Sequence, residues 1–102
     1  MGILRELGNG QEHVLHAKEA CGRSPHCTVR LNAVLVAPMH AELYWDGEAW
    51  IIRDVGSSNG TFVDGVPLRV GVPRALRRGS AVGLGRIAAD FELVDDSPPL
   101  PA

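Results

Sequence analysis

Three short segments of this chain carry the residues best suited to bind an anion: Gly22-Arg23, Ala37 to His40, and Ser57 to Thr61. The guanidinium of an arginine is a planar fork that binds phosphate through two parallel hydrogen bonds. Serine hydroxyls, and amides beside glycine, supply further donors. Because a phosphate ester carries close to two negative charges and several acceptor oxygens, its receptor needs such a set of donors. The residue types therefore predict an oxyanion site built from loops.

Each of these residues also has a simpler interpretation. Arg23 alone would be a surface residue paired with a carboxylate, and Ser57 with Ser58 alone would form a polar turn. Gly22 is expected to let the backbone turn sharply out of a strand before Arg23. Gly56 and Gly60 permit tight backbone geometry in either case. Only the presence of all three segments in one chain favours binding over these alternatives.

A hydrolase is a third interpretation, because residues 56 to 60 match the Gly-x-Ser-x-Gly elbow, and Asp54 and His40 could serve as triad partners. That elbow requires a turn from a strand into a helix within a large α/β sheet. Here Thr61 to Val63 and the following Asp64-Gly65 instead indicate a strand and a hairpin. We therefore expect no enzymatic activity.

The periodicity of the chain favours strands throughout. Eight short runs are β-branched, aromatic or alternating in polarity, which is typical of strands. Asn9-Gly10, Asp46-Gly47 and Asp64-Gly65 indicate tight hairpins, since these residues tolerate positive φ. We expect antiparallel strands in a sandwich or barrel, with minimal helix. The runs are Ile3 to Leu7, Val14 to Ala17, Thr28 to Leu31, Ala41 to Trp45, Ala49 to Asp54, Thr61 to Val63, Ala81 to Leu84 and Ala89 to Val94.

Composition limits the partners. Ten Lys plus Arg against twelve Asp plus Glu give a formal charge of −2, without the basic excess that duplex binding needs, so we expect no nucleic acid partner. No apolar run approaches the roughly 20 residues of a membrane span, and the N-terminus lacks the features of a signal peptide. We expect no membrane partner and a cytoplasmic, bacterial protein. Nine of the ten basic residues are arginines, as in proteins from GC-rich genomes.

Metal and redox chemistry have little support in the sequence. Cys21 and Cys27 form no CxxC pair, and a cytosolic thiol pair is normally reduced. His13 and His16, three residues apart in an expected strand, point to opposite faces. We expect both cysteines, and Trp45 with Trp50, to be packing residues, and we expect no metal or cofactor.

The end of the chain differs from the rest. Residues 95–102 read DDSPPLPA, a polar, proline-rich segment that buries little apolar surface and is typical of a linker or tail. We therefore place the domain at residues 1–94. The tail suggests that this chain is the N-terminal piece of a longer protein.

Together the motifs resemble those of the forkhead-associated (FHA) domain family. Gly22-Arg23, Ala37-Pro38-Met39-His40-Ala41 and residues 54–65 follow the family's Gly-Arg, Ser-x-x-His-Ala and Asp-x-Gly-Ser-x-Asn-Gly-Thr-x-Val-x-Gly. Residues 76–85 resemble its Leu-x-x-Gly-Asp-x-Ile-x-Ile-Gly, with Ser80 in place of the acid. The resemblance covers roughly residues 3 to 94, and the Gly-Ser-Ser-Asn-Gly-Thr run is its most specific part.

The resemblance implies an all-β fold, an FHA-like twisted β-sandwich of about eleven short, mainly antiparallel strands. It also implies a signalling module that binds phosphothreonine segments of partner proteins. In such a module Ser58 reaches the phosphate, Asn59 holds the peptide main chain and His40 is structural. The predicted phosphopeptide-binding residues are Arg23, Ser24, Ser57, Ser58 and Asn59, and the predicted supports of the site are Gly22, His40, Gly60 and Thr61.

One departure from the family pattern concerns the phosphate directly. Ala37 stands where the family has a phosphate-binding serine, three residues before the histidine. A hydrogen bond to a charged group is worth about 1.5–3 kcal/mol, so its loss weakens binding by roughly ten- to a hundredfold. Ser24 or His26 could supply a substitute donor. The alternative function is a degenerate FHA scaffold that binds protein independently of phosphorylation.

Overall fold

The computed structural model describes residues 1–100, which form eleven β-strands and no helix. None of these residues therefore belongs to a helix that could cross a membrane. The strands are β1 (Gly2–Glu6), β2 (Glu12–Leu15), β3 (Lys18–Gly22), β4 (Val29–Arg30), β5 (Ala41–Trp45), β6 (Trp50–Asp54), β7 (Thr61–Val63), β8 (Val66–Pro67), β9 (Arg74–Leu76), β10 (Ala81–Leu84) and β11 (Phe91–Asp96).

The strands form two sheets that pack face to face. One sheet has the order β2-β1-β11-β10-β7-β8, and the other has the order β4-β3-β5-β6-β9. Every pairing is antiparallel except that of β3 with β4. The predicted all-β sandwich of about eleven strands is confirmed.

All eight predicted runs overlap observed strands, and the three predicted hairpin turns join β1 to β2, β5 to β6 and β7 to β8. In the last turn Asp64 has a φ of 51°, and it is the one non-glycine residue with positive φ in the described chain. The strands β3, β8 and β9 were not predicted. Their sequences, Lys-Glu-Ala-Cys-Gly, Val-Pro and Arg-Ala-Leu, are too short or too poor in β-branched and aromatic residues to carry a strand signal.

The core lies between the sheets. Its members include Leu4 and Leu93 from one sheet, and Leu43 and Trp50 from the other. The Trp50 ring is fully buried and meets Trp45 edge to face, with ring centroids 5.5 Å apart. This agrees with the prediction that both tryptophans are packing residues. Burial of such side chains is the main force that holds the sheets together.

The last strand reaches beyond Val94. Strand β11 runs to Asp96, which pairs with Gly2 of β1, and the Trp50 indole N–H donates to the Ser97 carbonyl at 2.9 Å. The boundary at which this unit ends as an independent domain stays a prediction. Residues 101 and 102 of the predicted tail lie outside the described residues.

The register brings four loops to one end of the sandwich. Cys21 of β3 pairs with Ala41 of β5, which pairs with Asp54 of β6, and Leu84 of β10 pairs with Thr61 of β7. The β3–β4 loop (23–28), the β4–β5 loop (31–40), the β6–β7 loop (55–60) and the β10–β11 loop (85–90) therefore share that end. All three candidate segments lie there.

Leu93 and Ile87 provide a test of the core. Leu93 is fully buried between the sheets, whereas Ile87 is 65% exposed on the β10–β11 loop. We expect Leu93→Ala to lower the free energy of unfolding by about 2–5 kcal/mol, because it leaves a cavity in a dry core. The matched Ile87→Ala change should stay within about 0.5 kcal/mol. Urea unfolding measures both, and equal effects would contradict this packing.

Candidate anion-binding site

Arg23 begins the β3–β4 loop, and hydrogen bonds hold it at both its main chain and its side chain. Its amide donates to the Ala37 carbonyl at 3.0 Å, and its Nε donates to the Val36 carbonyl at 3.0 Å. Its side chain is exposed, and the terminal guanidinium nitrogens have no partner within residues 1–100. The guanidinium is therefore oriented and still has donors available for an oxyanion.

Gly22 precedes this arginine for a different reason from the one predicted. We expected a sharp turn out of the strand, but the φ of Gly22 is not in the left-handed region. Instead, a Cβ at this position would overlap the Pro38 carbonyl oxygen and press on the Cys27 sulfur. Gly22 thus permits the close approach of the β4–β5 loop to β3. The hydrogen bond from the Arg23 amide to the Ala37 carbonyl requires this approach.

A groove of about 220 Å³ lies beside the Arg23 side chain. It contains a cation, a hydroxyl and a carboxamide but no carboxylate, so nothing in its lining repels an anion. Ala37 lines it at the position of the missing serine. The lining residues are Arg23, Val34, Leu35, Val36, Ala37, Pro38, Ser58 and Asn59.

Ser58 and Asn59 form the side of the groove contributed by the β6–β7 loop. Ser58 is exposed, and its hydroxyl has no hydrogen-bond partner within the described residues. Asn59 donates one Nδ2 proton to the Leu35 carbonyl at 3.0 Å, which ties its loop to the β4–β5 loop. A carboxamide has two donors and one acceptor oxygen, so Asn59 retains polar capacity beyond this bond.

The other two predicted binding serines lie outside the groove lining. The Ser57 hydroxyl donates to Asp54 Oδ2 and accepts from the Gly60 amide at 3.1 Å, so its one proton is directed at the carboxylate. The Ser24 hydroxyl accepts from the His26 amide at 3.2 Å. Both serines brace their own loops.

His40 connects two of the loops. It is fully buried, its Nδ1 lies 3.0 Å from the Ala37 amide nitrogen, and its Nε2 lies 2.7 Å from the Gly60 carbonyl oxygen. An amide only donates and a carbonyl only accepts, so Nδ1 must accept and Nε2 must carry the proton. The geometry therefore requires the neutral Nε2–H tautomer and leaves neither ring nitrogen free.

Asp54 is the functional residue that sequence reasoning missed. Its side chain is 1% exposed and accepts from the Gly56 amide at 2.8 Å, the Ser57 amide at 2.9 Å and the Thr61 hydroxyl at 2.7 Å, as well as from the Ser57 hydroxyl. These bonds shape the whole β6–β7 loop. The signal was present, because an aspartate with a glycine two residues later, as in Asp54-Val55-Gly56, is typical of an Asx turn.

The carboxylate of Asp54 is ionised in this setting. Burial by itself would raise the pKa of Asp54, but hydrogen bonds from the Ser57 hydroxyl, the Gly56 amide, the Thr61 hydroxyl and the Ser57 amide outweigh burial and lower that pKa below its ordinary value. The lowered pKa means that the loop structure and the charge on Asp54 stabilise each other.

The cysteines support the loop by packing. Both are buried and unpaired, as predicted, and the Cys27 thiol donates to the Pro38 carbonyl at 3.2 Å. Burial raises the pKa of Cys21 to about 12 and also raises the pKa of Cys27, so both thiols stay protonated. Residues 1–100 contain no group of three or more His, Cys, Asp or Glu side chains placed to hold a metal ion.

Several known proteins are similar to this chain in sequence. The FHA domain family matches residues 20–85 of this chain. Protein FraH of Nostoc sp. is 42% identical over 55 residues, which cover 54% of this chain and 19% of that protein. The oxoglutarate dehydrogenase inhibitor of Corynebacterium jeikeium is 35% identical over 72 residues, which cover 71% of this chain and 48% of that protein. This chain thus spans about half or less of each relative.

A solved structure extends the likeness over the whole fold. It comes from a structural and functional analysis of phosphothreonine-dependent FHA domain interactions, and it is 27% identical to this chain with a TM-score of 0.77. The match covers 98% of this chain and 100% of that one.

Asp54→Asn tests the loop network through pH. A carboxylate whose pKa is lowered in the folded state adds stability that is fully present above its unfolded pKa and is lost as the pH falls through the folded pKa. We expect Asp54→Asn to lower the free energy of unfolding by about 1.5–3 kcal/mol at pH 7. The gap between the two proteins should shrink as the pH falls below the ordinary Asp value of 3.8.

Urea unfolding of both proteins from neutral pH to about pH 3 measures this gap. The lowered pKa values of Asp46 and Asp95 are common to both proteins and cancel in the difference. A gap that stays constant down to the lowest pH would contradict an ionised, network-bound Asp54.

Proposed function

This chain belongs to the FHA domain family, and from that premise we propose that it is a phosphothreonine-dependent protein interaction module. The observation that carries the proposal is Arg23, which lines a groove without carboxylates and whose Nε is fixed to the Val36 carbonyl. Its terminal nitrogens have no partner within residues 1–100. An arginine prepared in this way loses little conformational entropy when it binds a phosphate.

In the proposed function, three side chains of the groove contact different parts of the ligand. Arg23 supplies the charge and the fork for the phosphate, and the unpartnered hydroxyl of Ser58 supplies one more donor. Asn59 holds the main chain of the ligand through its remaining donor and its acceptor oxygen. Ser24 and Ser57 contribute indirectly, through the loops that they brace.

The same site supports a binding module better than an enzyme. A serine nucleophile needs a base with a free nitrogen within hydrogen-bond reach. Both ring nitrogens of His40 are already bonded to main-chain groups, and the carboxylate of Asp54 is bonded to its own loop. We therefore propose that Ser58 is a ligand contact and that the chain has no hydrolytic activity.

The nature of the partner follows from the charge and the thiols. A formal charge of −2 favours a protein segment over nucleic acid as the ligand. Two buried free thiols fit a reducing compartment, so we propose a cytoplasmic location. We further propose that residues 1–94 act as one module tethered to a larger parent chain, as the partial coverage of its relatives suggests.

A second candidate function rests on Ala37. This residue lines the groove with a methyl group at the position where the family has a hydroxyl. An FHA scaffold that binds unmodified protein, using the same loops without phosphate, is the function that this observation favours. Oriented Arg23 and unpartnered Ser58 favour phosphate recognition more strongly, and two substitutions separate the two functions.

Arg23→Ala should remove phosphothreonine binding and leave the fold intact. The change deletes the main charge partner from an exposed loop, with an expected loss of about 2–5 kcal/mol in binding free energy. Arg23→Lys should rescue only in part, because lysine keeps the charge and loses the fork. Titration calorimetry with a phosphothreonine peptide and its threonine counterpart measures this effect.

Arg77→Ala is the matched control, since Arg77 is exposed and follows β9 at the opposite end of the sandwich. It should bind like the wild type. If Arg23→Ala also binds the phosphopeptide like the wild type, the site is assigned wrongly.

Ala37→Ser should strengthen phosphothreonine binding. It adds one hydroxyl donor to the lining of the groove, worth about 1–3 kcal/mol, or roughly five- to a hundredfold in Kd. Binding of the unphosphorylated peptide should change little. A well-folded Ala37→Ser protein with no preference for the phosphorylated peptide would support the scaffold function instead.

A further inference from the structure

Arg30 lies against the main chain of Arg23. It ends β4, where it pairs with Gly22, and its Nε donates to the Arg23 carbonyl oxygen at 2.9 Å. The guanidinium of Arg30 is thus held against the main chain of Arg23. The two guanidinium groups can therefore be no farther apart than one arginine side chain plus one hydrogen bond, on the order of 10 Å, or about three residues of extended peptide. Two guanidinium groups therefore stand at neighbouring positions on the loop end of the sandwich.

The two arginines share an unusual form of anchoring. Within residues 1–100, Arg5, Arg53 and Arg86 pair with carboxylates, whereas Arg23 and Arg30 form no ion pair and are the only arginines whose side chains donate to a main-chain carbonyl. A long exposed side chain normally keeps its rotamer freedom. An Nε bond to the backbone restricts that freedom while the terminal nitrogens stay available.

The segments around the two arginines contain no acidic residues. From Ala20 to Ala41 the sequence contains Arg23 and Arg30 but no aspartate or glutamate, although the chain has twelve acidic residues in all. The β6–β7 loop, residues 55–60, contains no acidic residue either. The loops around the groove thus provide two positive charges and leave both without a negative partner, which favours a ligand with more than one negative group.

We propose that Arg30 forms a second oxyanion subsite beside the phosphothreonine groove. It takes a second negative group of the same ligand, the carboxylate of an aspartate or glutamate or a second phosphate, within about three residues of the phosphothreonine. The proposal rests on the proposed function, and it makes Arg30 a specificity-determining residue that selects phosphothreonine segments with an acidic neighbour.

Titration calorimetry with a peptide series tests the subsite. The parent peptide has one phosphothreonine flanked by alanines, and each further peptide carries a single aspartate at one of the three positions on either side. We expect at least one aspartate to lower the Kd of the wild-type protein by roughly two- to fivefold, as for an exposed pair of charges. The same position occupied by phosphoserine should give a larger gain.

Three variants make the assignment specific. Arg30→Gln should lose the gain from the aspartate and bind the parent peptide like the wild type, while Arg30→Lys should keep part of the gain. Arg77→Gln removes one positive charge at the opposite end of the sandwich, and this variant should keep the whole affinity gain from the aspartate. Thermal unfolding checks that each variant is folded.

Each contrary result has its own meaning. If no aspartate strengthens binding to the wild type, or if the gain survives in Arg30→Gln, the subsite is wrong while the proposed function stands. If Arg30→Gln weakens the parent peptide as much as the acidic ones, Arg30 acts on the phosphothreonine groove itself, by direct contact or through the Arg23 carbonyl, and the second subsite is wrong. A wild type that does not prefer phosphothreonine over threonine contradicts both the subsite and the proposed function.

Discussion

The imidazole of His40 joins two loops that have no strand pairing between them. Its two ring nitrogens bind a main-chain amide at Ala37 and a main-chain carbonyl at Gly60, in a place without solvent. Because one partner only donates and the other only accepts, a single neutral tautomer satisfies both. The Ala37 carbonyl in turn accepts from the Arg23 amide. The relative position of the cation on one side of the groove and of Ser58 and Asn59 on the other therefore depends on this ring, together with the Asn59 bond to the Leu35 carbonyl.

A second constraint keeps a negative charge close to the groove without weakening it. The carboxylate of Asp54 is buried beneath the β6–β7 loop, and donors from Gly56, Ser57 and Thr61 surround both its oxygens. A carboxylate so fully hydrogen-bonded has its charge compensated locally. The β6–β7 loop is thus shaped by a buried, compensated carboxylate, while residues 55–60 themselves contain no acidic side chain.

The sequence indicated more about the fold and the loops than about what each polar side chain does. Hydrophobic alternation and the hairpin dipeptides predicted strand positions because both are local properties of the chain. Ser57 and Gly22 show where local reasoning ends. Ser57, two residues before Asn59, has the residue type of a ligand contact, but the direction of its proton depends on Asp54, which lies at the end of β6. Gly22 was expected to allow a turn, yet its absent side chain matters because of Pro38, sixteen residues later, and only the tertiary structure brings the two together.

The main chain and the side chain of Ala37 affect the groove in different ways. The loss of one hydroxyl removes one directed donor, but it does not move the loop, because the main chain of Ala37 is held by Arg23 on one side and by His40 on the other. The backbone geometry of the site therefore does not depend on how many hydrogen-bond donors line the groove. A module built in this way can exchange donors at the groove surface without refolding. Arg30 lies outside the groove lining, but its bond to the Arg23 carbonyl holds a second positive charge at the same end of the sandwich. Charge acts over a longer range than a single hydrogen bond. In the proposed module, an exchange of the hydroxyl for the Arg30 charge would therefore move recognition from the phosphate alone toward the phosphate together with its acidic neighbours.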